Sequence, residues 1–321
     1  MNDTKLNISP ANQDELPVKG RFAPSPTGRM HAGNIFSALV AWLIAKSQDG
    51  KIVLRIEDLD AQRSKPCYID AVMSDFESLG LFWDEGPYFQ HDREEAYRVA
   101  FDVLEEKGLV YPCFCTRADL HAASAPHAGE RFVYPGTCRN LSALQCEERG
   151  LSRTPAQRVR VSEETLQFED GIQGRVSQKL SSECGDFIVR RSDGAYAYQL
   201  AVVVDDAEQG VTSVVRGVDL LSSTPQQMYL QDLLGLAHPA YAHVPLIVAQ
   251  DGRRLSKRNK DAELDALIAR FGSPRAVVGQ IAGMTGLAPT CDPATPEELL
   301  GCFDPHSFSE SFIDKKSIEW V

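Results

Sequence analysis

Two segments of the chain combine residue types that are suited to holding a polyphosphate. The first is Ala23–Asn34 (APSPTGRMHAGN), in which Pro24 and Pro26 exclude a helix. Gly28 and Gly33 allow the backbone to approach a ligand closely, and a helix that follows would point its N-terminal NH groups at a bound anion. Glycine spacing of this kind is nevertheless more typical of an ordinary strand-to-helix loop.

Side chains that could interact with phosphates lie in both segments. His31, immediately before the expected helix, can donate a hydrogen bond to a phosphate oxygen. The second segment is Arg254–Arg258 (RLSKR), within the run Arg253–Lys260, which holds five cations in eight residues. Such a loop can close on a triphosphate and neutralise the charge that develops when pyrophosphate leaves. Most basic clusters are solvated surface, so it is the pairing of the two segments that favours a shared ligand.

Three cysteines offer a metal site. Cys113, Cys115 and Cys138 would supply three thiolates, and zinc prefers four ligands in a tetrahedron. Cys-x-Cys spacing is tighter than the common Cys-x2-Cys, so buried free thiols are the alternative interpretation. Histidine or cysteine would be the chemically preferred fourth ligand, and the candidates are Tyr134, His121, His127 and Cys146.

The elements around the first segment predict a βαβ unit. Gly20–Phe22 reads as the end of a strand, and Asn34–Lys46 has apolar residues at a helical period with Asn34 as its N-cap. Lys51–Glu57 (KIVLRIE) reads as a buried strand. This order predicts parallel pairing with a right-handed crossover, and therefore an α/β fold.

The sequence pattern predicts that the chain is divided into five regions. We expect a disordered arm (1–19), a first half of a nucleotide-binding domain (20–110), an irregular insertion with the cysteines (111–185), a second half ending in the basic loop (186–260) and a mostly helical region (261–321). Within these regions the expected helices are Pro66–Leu79, Arg93–Lys107 and Ser222–Leu236, and the expected strands are Gln157–Val161, Phe187–Arg191, Gly210–Arg216 and His243–Ala249.

Composition restricts the class of protein. The chain is 43% hydrophobic and 24% charged, an ordinary globular balance. No apolar run approaches the ~20 residues of a membrane span, and residues 1–19 lack the hydrophobic stretch of a signal peptide. A cytoplasmic protein without a membrane partner is therefore expected. The net charge of −12 does not by itself favour nucleic-acid binding, although local patches decide that question.

Several motifs, in order along residues 20–260, resemble the catalytic domain of class I glutamyl-tRNA synthetases. They are RFAPSPTGRMHAGN, RIEDLD, YAYQLAVVVDD, VVRGVDLL and RRLSKR. His31-Ala32-Gly33-Asn34 matches the HIGH-type signature, with Asn34 in place of its second histidine. Arg254 replaces the first lysine of the KMSKS-type signature. The resemblance implies a Rossmann-like parallel sheet with an inserted zinc-containing subdomain and a short helical C-terminal region.

The resemblance also implies a role for particular residues. His31 and Lys257 would be catalytic. The glutamate site would comprise Arg21, Phe22, Ala23, Pro24, Ser25, Glu57, Tyr198 and Arg216. The ATP site would comprise His31, Gly33, Asn34, Arg254, Leu255, Ser256, Lys257 and Arg258. Related enzymes use a tyrosine four residues before the last cysteine as a zinc ligand, so the metal site would comprise Cys113, Cys115, Tyr134 and Cys138.

The implied reaction is activation of L-glutamate by ATP with Mg²⁺, followed by transfer to tRNA. Residues 259–321 are too few for the anticodon-binding region of a full synthetase. The chain therefore resembles a truncated branch of the family that attaches glutamate to the queuosine base of tRNA(Asp), and we expect a monomer. The alternatives are a discriminating synthetase acting on tRNA(Glu), a related nucleotidyltransferase for another small acid, and a non-catalytic tRNA-binding paralogue.

Overall fold

The computed structural model describes residues 17–60, 62–116, 119, 133–249, 263–313 and 315–320. Residues 1–16 of the predicted arm lie outside the described residues. So do the possible zinc ligands His121 and His127. The same holds for five predicted ATP-site residues, which are Arg254, Leu255, Ser256, Lys257 and Arg258.

The predicted βαβ unit is present. Strand β1 (Lys19–Phe22) leads through the proline- and glycine-containing loop into helix α1 (Ala32–Lys46), and strand β2 (Lys51–Ile56) follows. The two strands pair in parallel, with Gly20 opposite Ile52. Helix α1 is apolar on most of its surface, and it is correspondingly buried from Ile35 to Ala45 with few exceptions. A helix buried on most sides must be covered by several elements.

The predicted N-cap of α1 was wrong. The helix begins at Ala32, and His31 is the N-cap residue with an extended backbone. Asn34 is the third helical residue, and its side-chain oxygen lies 3.5 Å from the backbone nitrogen of His31. The helical period of apolar residues starts only at Ile35. The pattern alone therefore could not show that the helix begins three residues earlier.

The remaining helices and strands follow in chain order. The helices are α2 (Pro66–Ser78), α3 (Glu94–Glu106), α4 (Ala143–Gly150), α5 (Leu180–Glu183), α6 (Tyr198–Glu208), α7 (Thr224–Leu234), α8 (Leu264–Phe271), α9 (Pro274–Met284), α10 (Pro296–Leu300) and α11 (Pro305–Phe312). The strands are β3 (Glu85–Phe89), β4 (Val110–Cys113), β5 (Ala156–Val159), β6 (Thr165–Asp170), β7 (Gly174–Lys179), β8 (Phe187–Arg190), β9 (Ser213–Gly217), β10 (Ala240–Val244), β11 (Leu246–Val248) and β12 (Ser317–Glu319).

The parallel strands form three ladders and not one continuous sheet. β1, β2 and β3 pair in parallel, β9 pairs with β10, and β11 pairs with β12. The predicted strand His243–Ala249 is divided at Pro245, which has no NH to donate to a ladder. The first two ladders are neighbours, because Thr212 N donates to Lys19 O at 2.9 Å where β9 and β1 begin. The fold is thus α/β with parallel pairing, as predicted.

The region 111–185 is more regular than the sequence pattern indicated. β4 and β5 form an antiparallel sheet with β8, which lies just beyond this region, and β6 with β7 forms a hairpin. The strands have only four to six residues each, too few for a clear period. The region 261–321 is mostly helical as expected, but it also supplies strand β12.

The C-terminal helices cover α1. Phe36 of α1 packs against Phe308 and Phe312 of α11, with ring centroids 6.5 and 6.4 Å apart. Val277 and Ile281 of α9 belong to the same core. Among the described residues, none of the helices combines the length and apolarity that crossing a bilayer requires.

Arg29 fastens the loop before α1 to two helices. Its Nε lies 3.1 Å from each oxygen of buried Asp75 on α2, and its Nη1 lies 2.7 Å from Asp265 on α8. Asp75 also accepts from Met30 N at 3.1 Å, and Leu264 N donates to Met30 O at 2.9 Å. The loop therefore has a fixed position relative to the helices on both sides.

We predict unequal effects of removing the two charges that hold Arg29. Asp75→Asn should lower the free energy of unfolding by about 2 kcal/mol, because a buried acceptor of charge-assisted bonds is weakened. Asp265→Asn is the matched control and should cost less than about 1 kcal/mol, since that carboxylate is exposed. Urea unfolding of both variants checks this, and equal losses would contradict the assignment.

Candidate functional site

One cavity of about 590 Å³ brings the predicted substrate residues together. It lies at the carboxyl ends of β1, β2 and β9, the edge of a parallel sheet where ligands usually bind. Every residue predicted for the glutamate site lines it: Arg21, Phe22, Ala23, Pro24, Ser25, Glu57, Tyr198 and Arg216. The described residues of the predicted ATP site line it too: His31, Gly33 and Asn34.

A buried charge cluster supports one wall of the cavity. Arg55 is fully buried and donates to Asp206 at 2.7 Å, to Gln209 at 2.9 Å and to Glu57 at 3.2 Å. Arg21 Nε lies 3.0 Å from the same oxygen of Asp206. The two side chains form an ion pair, but the N–H of Nε does not point at that oxygen well enough for a hydrogen bond. Two arginines thus share the carboxylate of Asp206, and one of them also holds Glu57.

The protonation of this cluster follows from burial and from its arginines. Burial would raise the pKa of Asp206, but the charges of Arg21 and Arg55 outweigh it and lower that pKa. Burial also raises the pKa of Glu57, and here Arg55 and Arg21 only partly offset it. Asp206 is therefore ionised in the folded protein. Ionisation of Glu57 would be favoured by a further cation, such as a substrate ammonium.

Arg216 is held by three neutral acceptors. It donates from Nε to His243 at 3.0 Å, from Nη1 to Gln227 at 2.9 Å and from Nη2 to Thr224 at 2.8 Å. A guanidinium has five N–H donors, so two of them have no partner among the described residues. On the same wall, burial raises the pKa of Tyr198, and the tyrosine therefore remains a neutral hydrogen-bond donor. Arg216 can thus receive a carboxylate without first releasing one of these neutral acceptors.

The residues predicted to bind phosphate lie where α1 begins. A Cβ on Gly33 would come within 3.3 Å of His31 Cε1, so the glycine leaves room for the histidine ring. The first NH groups of a 15-residue helix and its positive dipole end lie beside that ring. This arrangement suits an anion.

Some residues of the cavity escaped the sequence analysis. Thr27, Arg63 and Asp219 line it, and none was predicted. The supporting residues Arg55 and His243 were also missed, although each is a polar residue in the middle or late part of a largely apolar strand. A charged or polar residue at such a position must find a buried partner, and this signal could have identified both.

The three predicted cysteine ligands converge. Their Sγ atoms all lie within 4.8 Å of one another, and Cys115 Sγ is 3.7 Å from Cys138 Sγ. Tetrahedral zinc with ligand distances of ~2.3 Å requires sulfur atoms ~3.8 Å apart, which this pair matches. Tyr134 OH lies 3.4 Å from Cys113 Sγ, and the tyrosine is therefore part of the same cluster. Cys146 only packs against this cluster. The donor set fits a zinc ion.

The surroundings of the thiols affect their ionisation differently. Burial would raise the pKa of Cys113, but hydrogen bonds from Tyr134 and Arg158 outweigh it and lower that pKa. Burial and the neighbouring Cys113 raise the pKa of Cys115. Arg158 Nε lies 3.2 Å from Cys113 Sγ, and its guanidinium lies 3.7 Å from the centre of the Tyr134 ring. Cys113 therefore ionises more readily than Cys115, and a divalent cation would favour the thiolate form of both.

The chain is similar to a known family of proteins. Residues 17–317 match the family model for the catalytic domain of class I tRNA synthetases (E and Q). The glutamyl-Q tRNA(Asp) synthetase of Nitratidesulfovibrio vulgaris is 46% identical over 296 residues, which cover 88% of this chain and 91% of the relative. The enzyme of the same name from Symbiobacterium thermophilum is 46% identical over 298 residues, which cover 89% and 92%.

Solved structures show the same fold. A glutamate tRNA ligase from Elizabethkingia meningosepticum, crystallised in complex with its amino acid, superposes with a TM-score of 0.79 at 24% identity. The match covers 95% of this chain and 67% of that one. The glutamate-tRNA synthetase of Elizabethkingia anophelis gives the same score, with 68% of its chain covered.

We predict that Asp206→Asn destabilises the chain by about 3 kcal/mol at pH 7, because two buried arginines lose a shared anion. Folding lowers the pKa of Asp206 below its usual 3.8, so this contribution is present above that pH and is lost as the pH falls through the folded pKa. The difference from the unsubstituted protein should therefore shrink on acidification. Urea unfolding from pH 7 to pH 3 measures it.

Glu208→Gln is the matched control for Asp206→Asn on the same helix. Glu208 pairs with Arg93 at the surface, so its loss should cost less than about 1 kcal/mol. A difference between Asp206→Asn and the unsubstituted protein that stays constant down to pH 3 would show that Asp206 carries no depressed pKa.

Proposed function

The chain belongs to the class I tRNA synthetases for glutamate and glutamine, and on this premise we propose that it activates L-glutamate with ATP and transfers it to the queuosine base of tRNA(Asp). It is therefore a ligase of the class I family, and the resemblance to glutamyl-tRNA synthetases is confirmed. The amino acid, the activated intermediate and the acceptor are argued below as parts of the proposal.

The observation that carries the proposal is the charge pattern of the cavity. Arg21 and Arg216 supply cations, and Glu57 supplies one partly neutralised anion at the end of β2. L-Glutamate has two carboxylates and one ammonium, the complement of that pattern. Arg21 can bind a carboxylate with its fork of N–H groups, Glu57 would hold the ammonium, and Arg216 would select the acidic side chain.

Activation would proceed by in-line displacement. An oxygen of the glutamate α-carboxylate attacks the α-phosphorus of ATP, the bond to the β-phosphate oxygen breaks, and pyrophosphate leaves with its electron pair. His31 and the first NH groups of α1 would stabilise the charge on the phosphates, as would Lys257 of the basic loop. Mg²⁺ bound with ATP would supply further positive charge. No nucleophile from the protein is required.

Transfer would complete the reaction. A hydroxyl of the queuosine cyclopentenediol attacks the carbonyl carbon of glutamyl-adenylate, loses its proton and releases AMP. Support for this acceptor comes from the names of two relatives at 46% identity over most of both chains. We propose that the activity is cytoplasmic and that the chain acts as a monomer, since the described residues of a single chain supply the proposed glutamate site.

The cysteine cluster is proposed as a structural zinc site. Cys113, Cys115, Tyr134 and Cys138 would hold the ion, on the basis of the Sγ and OH distances within the cluster. The site would join the end of β4 to the segment that precedes α4. Its role is to stabilise the inserted subdomain 111–185, and no reaction step passes through it.

We predict that the protein exchanges pyrophosphate into ATP when glutamate is present and tRNA is absent. His31→Gln should slow exchange by about 10²- to 10³-fold, because a donor to the transition-state charge is lost. His238→Gln, at a histidine that pairs with Asp232 on α7 and does not line the described cavity, is the matched control and should exchange normally. Absence of exchange would remove the enzymatic proposal in favour of a tRNA-binding paralogue, and exchange only with added tRNA(Glu) would favour a discriminating synthetase.

A second prediction concerns the acceptor. Labelled glutamate should be transferred to tRNA(Asp) that contains queuosine and not to the same tRNA prepared without it. Charging of tRNA(Glu) serves as the competing reaction in the same assay. Equal labelling of both forms of tRNA(Asp) would remove the modified base as the acceptor.

The zinc site predicts a metal content that depends on single residues. The purified chain should contain about one zinc ion, and Cys115→Ser should lose it while Cys67→Ser, at an exposed position, should retain it. Tyr134→Phe should weaken zinc retention and Cys146→Ser should not. Elemental analysis of the four variants checks this, and the reverse result for the last two would make Cys146 the fourth ligand.

A further inference from the structure

A buried chain of polar groups runs behind Arg216. His243 on β10 is fully buried, with its Nδ1 2.5 Å from Asp170 Oδ2 and its Nε2 3.0 Å from Arg216 Nε. Thr224 Oγ1 lies 3.2 Å from the same His243 Nε2. Asp170 is the last residue of β6, so the hairpin β6–β7 contributes to the site without lining the cavity.

The protonation state of His243 follows from its two partners. An arginine Nε always carries a hydrogen and can only donate, so His243 Nε2 must accept. Nδ1 must then carry the single ring proton and donate it to Asp170. Burial lowers the pKa of His243, the hydrogen bond to Asp170 opposes that shift, and the charge of Arg216 adds to it. His243 is therefore neutral, in one defined tautomer.

The backbone fixes which oxygen of Asp170 faces the histidine. Oδ1 accepts from three backbone NH groups, those of Ile172 at 3.1 Å, Gln173 at 2.8 Å and His243 at 3.0 Å. Only an oxygen can occupy that position. Oδ2 is left for His243, and the carboxylate cannot rotate without breaking those bonds.

We propose that His243 and Asp170 are positioning residues that hold Arg216 in the orientation in which its two remaining N–H donors receive the side-chain carboxylate of the substrate. The inference rests on the proposed function, because it needs glutamate in this cavity. Through this chain the hairpin of the inserted subdomain determines selectivity for an acidic side chain. A protonated or inverted imidazole would direct an N–H at Arg216 and displace it.

Asp170→Asn tests the proposal with almost no change in shape. The three backbone NH groups require the amide oxygen at the Oδ1 position, which turns the amide NH₂ toward His243 Nδ1. That nitrogen must then accept, the ring proton moves to Nε2, and two donors face each other at Arg216. We expect the KM for glutamate in pyrophosphate exchange to rise by about tenfold or more, with little change in the KM for ATP.

Nuclear magnetic resonance of ¹⁵N-labelled histidine gives a readout that does not depend on activity. The proton of His243 should be on Nδ1 in the unsubstituted protein and on Nε2 in Asp170→Asn. Glu169→Gln, an exposed position on the same strand, is the matched control and should change neither the tautomer nor the KM for glutamate.

Two substitutions of the histidine keep the proposal testable if Asp170→Asn does not fold. His243→Gln can accept from Arg216 through its amide oxygen and donate to Asp170 through its amide nitrogen, so it should retain most of the affinity for glutamate. His243→Leu can do neither and should raise the KM for glutamate as Asp170→Asn does. Normal affinity in His243→Leu, equal losses for glutamate and ATP, or an unchanged tautomer in Asp170→Asn would overturn the positioning role.

The outcomes separate this inference from the function on which it rests. If the unsubstituted protein does not exchange pyrophosphate with glutamate, the proposed function fails and this inference fails with it. If the unsubstituted protein exchanges normally and the variants give any of the contrary results above, only the positioning role fails.

Discussion

Burial of cations next to the substrate cavity is the constraint on which the site depends. Arg21, Arg55 and Arg216 are all buried at the ends of parallel strands, where an unpaired guanidinium would be very unfavourable. Two of them are stabilised by the shared anion Asp206, and Arg216 is stabilised by neutral acceptors that include His243. The fold therefore has to bring these partners to the same place before a substrate can be bound.

The different partners give the two walls of the cavity different properties. Next to Arg21 the protein already supplies carboxylates, so an incoming anion competes with Asp206. Next to Arg216 the hydrogen-bond acceptors are all neutral, so a bound carboxylate would not have to replace a carboxylate of the protein. The two ends of the cavity would therefore act differently on a bound carboxylate: it competes with Asp206 at Arg21, and it meets only neutral hydrogen-bond acceptors at Arg216.

Local patterns predicted the parts of the fold that are local. The βαβ unit from Lys19 to Ile56 could be read from one apolar helix between two strand patterns, and the close approach of the cysteines from their spacing and a resemblance. The pairing of Asp170 with His243 could not be predicted, because the two residues are separated by 73 positions in the sequence and carry no shared motif. The division of the last strand at Pro245 and the start of α1 at Ala32 depend on backbone bonds that composition does not reveal.

Tyr134 has a position that packing maintains independently of any metal. Its backbone NH donates to Cys184 O at 3.1 Å, and Gly185 follows with a φ of +70°, where a Cβ would lie 2.3 Å from the Tyr134 carbonyl oxygen. The stacked guanidinium of Arg158 covers the ring. In evolutionary terms, the packing around Tyr134 and the cysteine cluster are two contributions to stability that can change separately. A lineage that replaced the three cysteines with small apolar side chains would keep the aromatic residue, the glycine and the arginine in register, so loss of the proposed zinc ligands need not entail loss of the fold.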